Sequence, residues 1–241
     1  MWEKNLLSSV PESQFFTRQA LYNLFKETNK DLSYNSVSWI IEEGLKSKIL
    51  YKVGADSYSR KQETRKIYAP HYSDFANELL AKMSERFPEL EYTVFETLLL
   101  NEFVNHMYSQ NILVLQIEKD LCPFTFDFLN EMFPGKVLYA PSPEDLGRYK
   151  SDNCIILENR ISEAPFDKEH PHFITIEKLL VDVVSDKAIK NLVPDSEVTN
   201  IFENVSMIYR SDLTKIRRYA KRRNVWNKLE TLLGLEKKND L

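Results

Sequence analysis

Glycine is scarce in this sequence: five in 241 residues, namely Gly44, Gly54, Gly135, Gly147 and Gly234. A loop that cradles phosphates with backbone N–H groups needs several glycines within a few positions, and these five are far apart. A Gly-Ser followed by paired aspartates, the mark of a nucleotidyltransferase, is also missing. Together these absences exclude the commonest nucleotide chemistry. Only two cysteines occur, Cys122 and Cys154, with no other sign of secretion, so both are expected as free thiols. No run reaches the ~20 apolar residues that cross a bilayer. The opening Met1-Trp2-Glu3-Lys4 lacks a basic-then-apolar leader, and the expected location is the cytoplasm, away from membranes. There is neither an internal repeat nor a low-complexity tract.

What is present suits a folded chain: 43% hydrophobic and 28% charged residues, too apolar for disorder, in a length that fits two domains. The net charge of −4 argues against nucleic acid only until it is divided along the chain. Residues 1–70 carry 11 Lys and Arg against 8 Asp and Glu, or +3; residues 71–209 carry 11 against 24, or −13; residues 210–241 carry 10 against 4, or +6. Salt confines surface fields to about 10 Å, so basic ends can attract phosphate beside an acidic middle.

The first seventy residues have the order helix, helix, helix, hairpin. Leu6, Leu7 and Val10 recur at helical spacing before Pro11. Thr17 is placed to cap a second helix with Ala20, Leu21, Leu24 and Phe25 on one side. A third, from about Asn35 to Leu45, carries Val37, Ile40, Ile41 and Leu45 as a buried stripe. Lys48–Val53 and Ser57–Ser59, about Gly54-Ala55-Asp56, then predict two strands and a turn. That order predicts a winged helix-turn-helix over residues 1–70, with the boundary near the polar stretch Arg60–Lys66 and Pro70.

Residues 71–241 predict an α/β domain, so the whole chain is expected to be α+β with a central mixed sheet and a helical C-terminal region. Strands are expected at Glu91–Phe95, Asn111–Ile117, Val137–Tyr139 and Cys154–Leu157. Helices are expected at Leu98–Met107, Pro123–Met132 (closed by Pro134-Gly135), after Ser142-Pro143-Glu144-Asp145, and from Thr175 onward at Ile176–Ser185, Asp195–Val205, Ser211–Arg222 and Val225–Leu235.

In a helix-turn-helix the second helix enters the major groove, so the face of the third helix opposite its apolar stripe is the candidate reader: Asn35, Ser36, Ser38, Trp39 and Glu42, followed by Lys46. Asn can read adenine edges, Ser can reach phosphate or base, and Trp can pack on sugar or a thymine methyl. The competing reading is a solvated helix face with Trp39 folded against the hairpin. Lys52, Arg60 and Lys61 on or after the hairpin, and Thr17 and Arg18 at the start of the second helix, occupy positions suited to backbone phosphates. Near the C-terminus, Leu213, Ile216 and Ala220 face inward and leave Lys215, Arg218, Lys221 and Arg222 pointing out together, a possible second contact for nucleic acid or a partner. Its alternative role is to neutralise the acidic middle of its own domain.

Catalytic readings lack parts. His170 and His172 flank Pro171 beside Glu169, too few ligands for zinc, and are expected in a surface turn. Asp152, Glu158, Arg160, Glu96 and Glu118 are the best candidates for a metal-dependent nuclease of restriction-endonuclease type, with unfavourable spacing. No cofactor, metal or catalytic residue is therefore expected.

Three further stretches carry a resemblance: Thr97-Leu98-Leu99-Leu100-Asn101-Glu102-Phe103 with His106, Ile174-Thr175-Ile176-Glu177-Lys178-Leu179-Leu180-Val181-Asp182, and Lys215-Ile216-Arg217-Arg218-Tyr219-Ala220-Lys221-Arg222-Arg223. With the amino-terminal pattern, they resemble the AbiEi-like family of antitoxins and predicted transcriptional regulators of type IV toxin–antitoxin and phage-defence operons. The resemblance implies a repressor of its own promoter, with operator DNA as partner, functionally paired with a nucleotidyltransferase toxin. The rival expectations are the nuclease and an RNA- or protein-binding interaction module.

Overall fold

The structure, a computed structural model, describes residues 2–11, 16–54, 57–60 and 65–235. The protein is mixed α/β, and its chain forms two compact units: Met1–Ile67 with Arg210–Thr214, and Tyr68–Tyr209 with Lys215–Leu241.

The first unit begins with helices α1 (Trp2–Ser9), α2 (Arg18–Thr28) and α3 (Tyr34–Lys46). Thr17 caps α2 by accepting from Ala20 N–H at 3.1 Å, and Ser33 caps α3 by accepting from Ser36 N–H at 3.1 Å. Leu6, Leu7, Val10, Leu21, Phe25, Val37, Ile40, Ile41 and Leu50 make its core. An antiparallel hairpin follows, β1 (Tyr51–Gly54) and β2 (Ser57–Ser59); the turn residues Ala55 and Asp56 lie outside the described residues. Phe16 and Tyr58 exchange two backbone hydrogen bonds of 2.9 Å, which adds the segment before α2 to the ribbon. The first strand starts at Tyr51, later than Lys48: Lys48 is left-handed (φ 56°), and Ile49 and Leu50 both donate back to the Gly44 carbonyl, closing α3 first.

The second unit is built on a four-stranded mixed sheet of β3 (Tyr92–Glu96), β4 (Ile112–Ile117), β5 (Val137–Tyr139) and β6 (Cys154–Asn159) in the order β3-β4-β6-β5, antiparallel at the first pair and parallel beyond. Alternation along each strand divides the core. Phe95, Ile112, Val114, Cys154 and Ile156 face one side, with α7 (Ile176–Ser185), α9 (Asp195–Ile208), α10 (Leu213–Arg222) and α11 (Trp226–Leu232) supplying many of its other apolar residues and α6 (Pro143–Tyr149) adding Leu146. Tyr92, Val94, Leu113, Leu115, Ile155 and Leu157 face the other, packed by α4 (Asp74–Arg86) and α5 (Cys122–Met132). Such a three-layer core requires strands apolar on both faces. Cys154 belongs to the first layer and Cys122 to the second; both are buried and unbridged.

Two helices have no counterpart among the sequence expectations: α4, and α8 (Lys187–Leu192). The segment expected as a helix at Leu98–Met107 is instead a short 3-10 turn, Thr97–Glu102. Polar side chains compete with the helical ladder there. Asn101 accepts from Tyr108 N–H at 2.6 Å and donates to the Tyr108 carbonyl at 3.1 Å, and Asn105 N–H is claimed by Glu197 at 3.1 Å. No helix among the described residues is long and apolar enough to cross a membrane.

Candidate nucleic-acid interface

Helix α3 has one sealed face and one open one. Val37, Ile40 and Ile41 are buried, while Asn35, Glu42 and Lys46 are exposed and Ser36 and Ser38 are half-buried. Trp39 keeps 51% of its surface open, so its indole is available rather than folded away. Ser36 is partly engaged by its neighbour, its hydroxyl lying 2.7 Å from that of Ser33.

The flanking residues divide by role. Lys52 on β1 is exposed. Thr17 spends its hydroxyl on the α2 cap, and a guanidinium nitrogen of Arg18 lies 3.5 Å from the Tyr58 hydroxyl. Arg60 donates to the carbonyls of Ser8 (3.0 Å) and Val10 (3.1 Å), where a cation satisfies acceptors at and beyond the end of α1. Its visible work is therefore internal. Lys61 lies outside the described residues.

One group has no place among the sequence expectations. Tyr34, 43% exposed at the start of α3, packs edge-on against Tyr22 with ring centroids 5.4 Å apart, and Lys26 donates to the Tyr22 hydroxyl at 2.9 Å. A signal for it exists, since Tyr22 and Lys26 are four apart on one helix and so share a face.

In the second unit, α10 turns Ile216, Tyr219 and Ala220 inward and exposes Lys215, Arg218, Lys221 and Arg222. Arg218 pairs with Glu163, and Arg222 donates to the Ser162 hydroxyl at 2.8 Å. Arg217 lies over the Trp226 ring, 5.4 Å from its centre.

The inner side of the same helix closes a buried polar cluster. The alternation that makes the strands apolar breaks at Gln116 on β4 and Glu158 on β6, which are register partners in the parallel pair. The ammonium of Lys178 on α7 donates to Gln116 and to Asp182, and Asp182 also accepts from the Tyr219 hydroxyl at 2.8 Å. Gln116 donates to Asp186 at 2.9 Å, and Arg223 lies 3.5 Å from the same carboxylate and donates to Ser185 at 3.0 Å. Asp186 meanwhile caps α8, accepting from Ala188 and Ile189 N–H. Three carboxyl groups thus face two cations. Burial, followed by the charge and hydrogen bond of Asp186 and the charge of Asp182, pushes the Glu158 carboxyl up to about 8. Burial raises Asp186 as well.

The candidate nuclease residues do not gather. Asn111 donates to Glu96 at 2.7 Å and to Asp152 at 2.9 Å, placing those two at the beginning of β4 and β6. Glu158 stands four residues further along β6, ~13 Å at strand spacing. Arg160 is paired with Glu91 at 2.6 Å, and Glu118 is exposed. Among the described residues no group of three His, Cys, Asp or Glu is placed to hold a metal ion. His170 and Pro171 lie exposed in the expected turn, closed by Phe173 N–H donating to the His170 carbonyl at 3.0 Å, while His172 at its inner end is half-buried, stacked on Tyr92 with ring centres 3.7 Å apart, and burial lowers its pKa.

These features define a mixed α/β protein with two polar surfaces and one polar core. The chain belongs to the family of unknown function DUF6577, whose model matches residues 36–239. A crystal structure of the RV2827C protein from Mycobacterium tuberculosis is similar over 100% of this chain and 82% of that one, at 10% identity and a TM-score of 0.29, a likeness too slight to bear on function. No curated protein matches the sequence.

Proposed function

We propose that the protein is a sequence-specific DNA-binding transcriptional regulator of the cytoplasm, without enzymatic activity, whose first unit works as a winged helix. On this reading α3 is the recognition helix, and the β1–β2 ribbon is the wing that brings Lys52 to the phosphate backbone. The observation that carries it is the open face of α3: Asn35, Trp39 and Lys46 stand exposed along a helix whose opposite side is sealed. The α2 N-terminus at Thr17 and Arg18 supplies a further position suited to phosphate. Arg60 is assigned to holding α1 instead, on its two carbonyl bonds.

The resemblance to AbiEi-like proteins extends the proposal to a biological role, that of an autorepressing antitoxin set against a nucleotidyltransferase toxin. Gel shifts with the DNA upstream of the protein's own gene, against a scrambled duplex and across a salt series, test the regulator. Preference for the upstream DNA, falling with salt as counterions are released, is the expected result. Equal binding to both duplexes overturns it. Co-expression with a neighbouring nucleotidyltransferase gene tests the antitoxin role, with restored growth as the supporting outcome.

A further inference from the structure

The face of α10 differs from an ordinary solvated face in what lies over it. Four cations, Lys215, Arg218, Lys221 and Arg222, project from seven consecutive steps of helix, ~10 Å at 1.5 Å per residue. No acidic residue occurs between Leu213 and Arg223. The helix is fixed from within by Tyr219 on Asp182 and Arg223 on Asp186, so these four are displayed on a rigid support. The neighbouring segment Ser162-Glu163 meets two of them: the Glu163 carboxylate sits on Arg218 and the Ser162 hydroxyl accepts from Arg222. Glu163 holds a left-handed backbone, φ 67°, a conformation that a non-glycine residue seldom adopts. A carboxylate bound to an arginine fork is the side-chain equivalent of a phosphate bound there.

We propose that the outward face of α10 is a sequence-indifferent contact for the phosphate backbone of duplex DNA, and that Glu163 occupies one of its phosphate positions in the unliganded protein. A protein partner fits this face less well. Stable protein interfaces centre on desolvated apolar or aromatic anchors, whereas the outward positions of α10 are Thr214, Lys215, Arg217, Arg218, Lys221 and Arg222. A duplex, with about one charge per 1.7 Å of axis, matches a dense row of cations. The inference does not depend on α3 being a recognition helix.

The test uses the full-length protein and fluorescence anisotropy with a labelled scrambled duplex, and with a single-stranded RNA of the same length, each over a salt series. Arg218→Gln/Lys221→Gln/Arg222→Gln should bind more weakly, with the slope of log affinity against log salt reduced by about 0.9 for each duplex phosphate that is no longer neutralised. Glu163→Gln should bind more tightly than the parent, because it frees Arg218 from its internal competitor. Response on the duplex supports the proposal, and a response confined to the single-stranded RNA overturns it. Unchanged slopes in the triple variant, or no gain from Glu163→Gln, overturn it. Glu163→Gln leaves the inward side of α10 untouched and keeps the test decisive should the triple variant fail to fold. Asn35→Ala/Trp39→Ala separates the two surfaces: it should abolish preference for upstream DNA while scrambled binding persists.

Discussion

Asp182 illustrates how much one buried side chain can control. It neutralises Lys178 and accepts from Tyr219, and both it and Lys178 are essentially sealed from water. Removing one member of a buried ion pair leaves the other charge uncompensated, so Asp182→Ala should destabilise the second unit by about 3–5 kcal/mol in urea unfolding. Tyr219→Phe removes a single hydrogen bond to a charged acceptor and should cost only about 1.5–3 kcal/mol. Glu158 gives a pH dependence of definite sign. Its carboxyl titrates near 4.5 when unfolded and about 8 when folded, so between those values the folded state holds a proton that the unfolded chain has released. Stability from this group is therefore full below 4.5, is lost as pH rises through 8, and falls by at most about 1.4 kcal/mol per pH unit between. Glu158→Gln should flatten that part of a stability-against-pH curve. None of this is legible in the sequence, where Glu158 reads only as a nuclease carboxylate and Lys178 and Asp182 only as parts of an amphipathic helix. Their meeting requires β4, β6, α7 and α10 to be assembled first, and no local period encodes that.

At the scale of the element, α3 is readable because its apolar stripe and capping serine are local signals. Gly44 is not readable as a point of close approach. A Cβ there would lie 2.9 Å from Leu50 Cδ1 and 3.0 Å from Leu7 Cδ2, so this glycine lets α1 and the hairpin segment come near. Gly44→Val should overpack that junction and cost about 1–3 kcal/mol, seen as a lower thermal midpoint for the first unit. The α4 helix shows the opposite error. Ser73 caps it, and Ala76, Leu79, Leu80 and Met83 follow at helical spacing, so its signal lies in a stretch that adjoins the polar boundary and is masked by it. Leu98–Met107 has a helix's apolar content but not its geometry, because the Asn101 side chain takes up both backbone groups of Tyr108 and the Glu197 carboxylate takes the Asn105 N–H.

For the whole molecule, the partition of charge matters more than its total. Raising salt should weaken binding of the intact protein to any duplex. Lys52→Gln should weaken it nearly uniformly across sequences, and should lower the salt slope by about 0.9 if Lys52 neutralises one phosphate. Anisotropy with upstream and scrambled duplexes distinguishes that pattern from a weakening confined to the upstream sequence, which is the expectation for Asn35→Ala. The two thiols add a measurement that requires no engineering. Cys154 and Cys122 lie in opposite layers about one sheet, and a thiol is protected from alkylating reagents while it is buried. Following the alkylation of each by mass spectrometry in mild denaturant would show whether the two halves of the core come apart in a single event or one before the other.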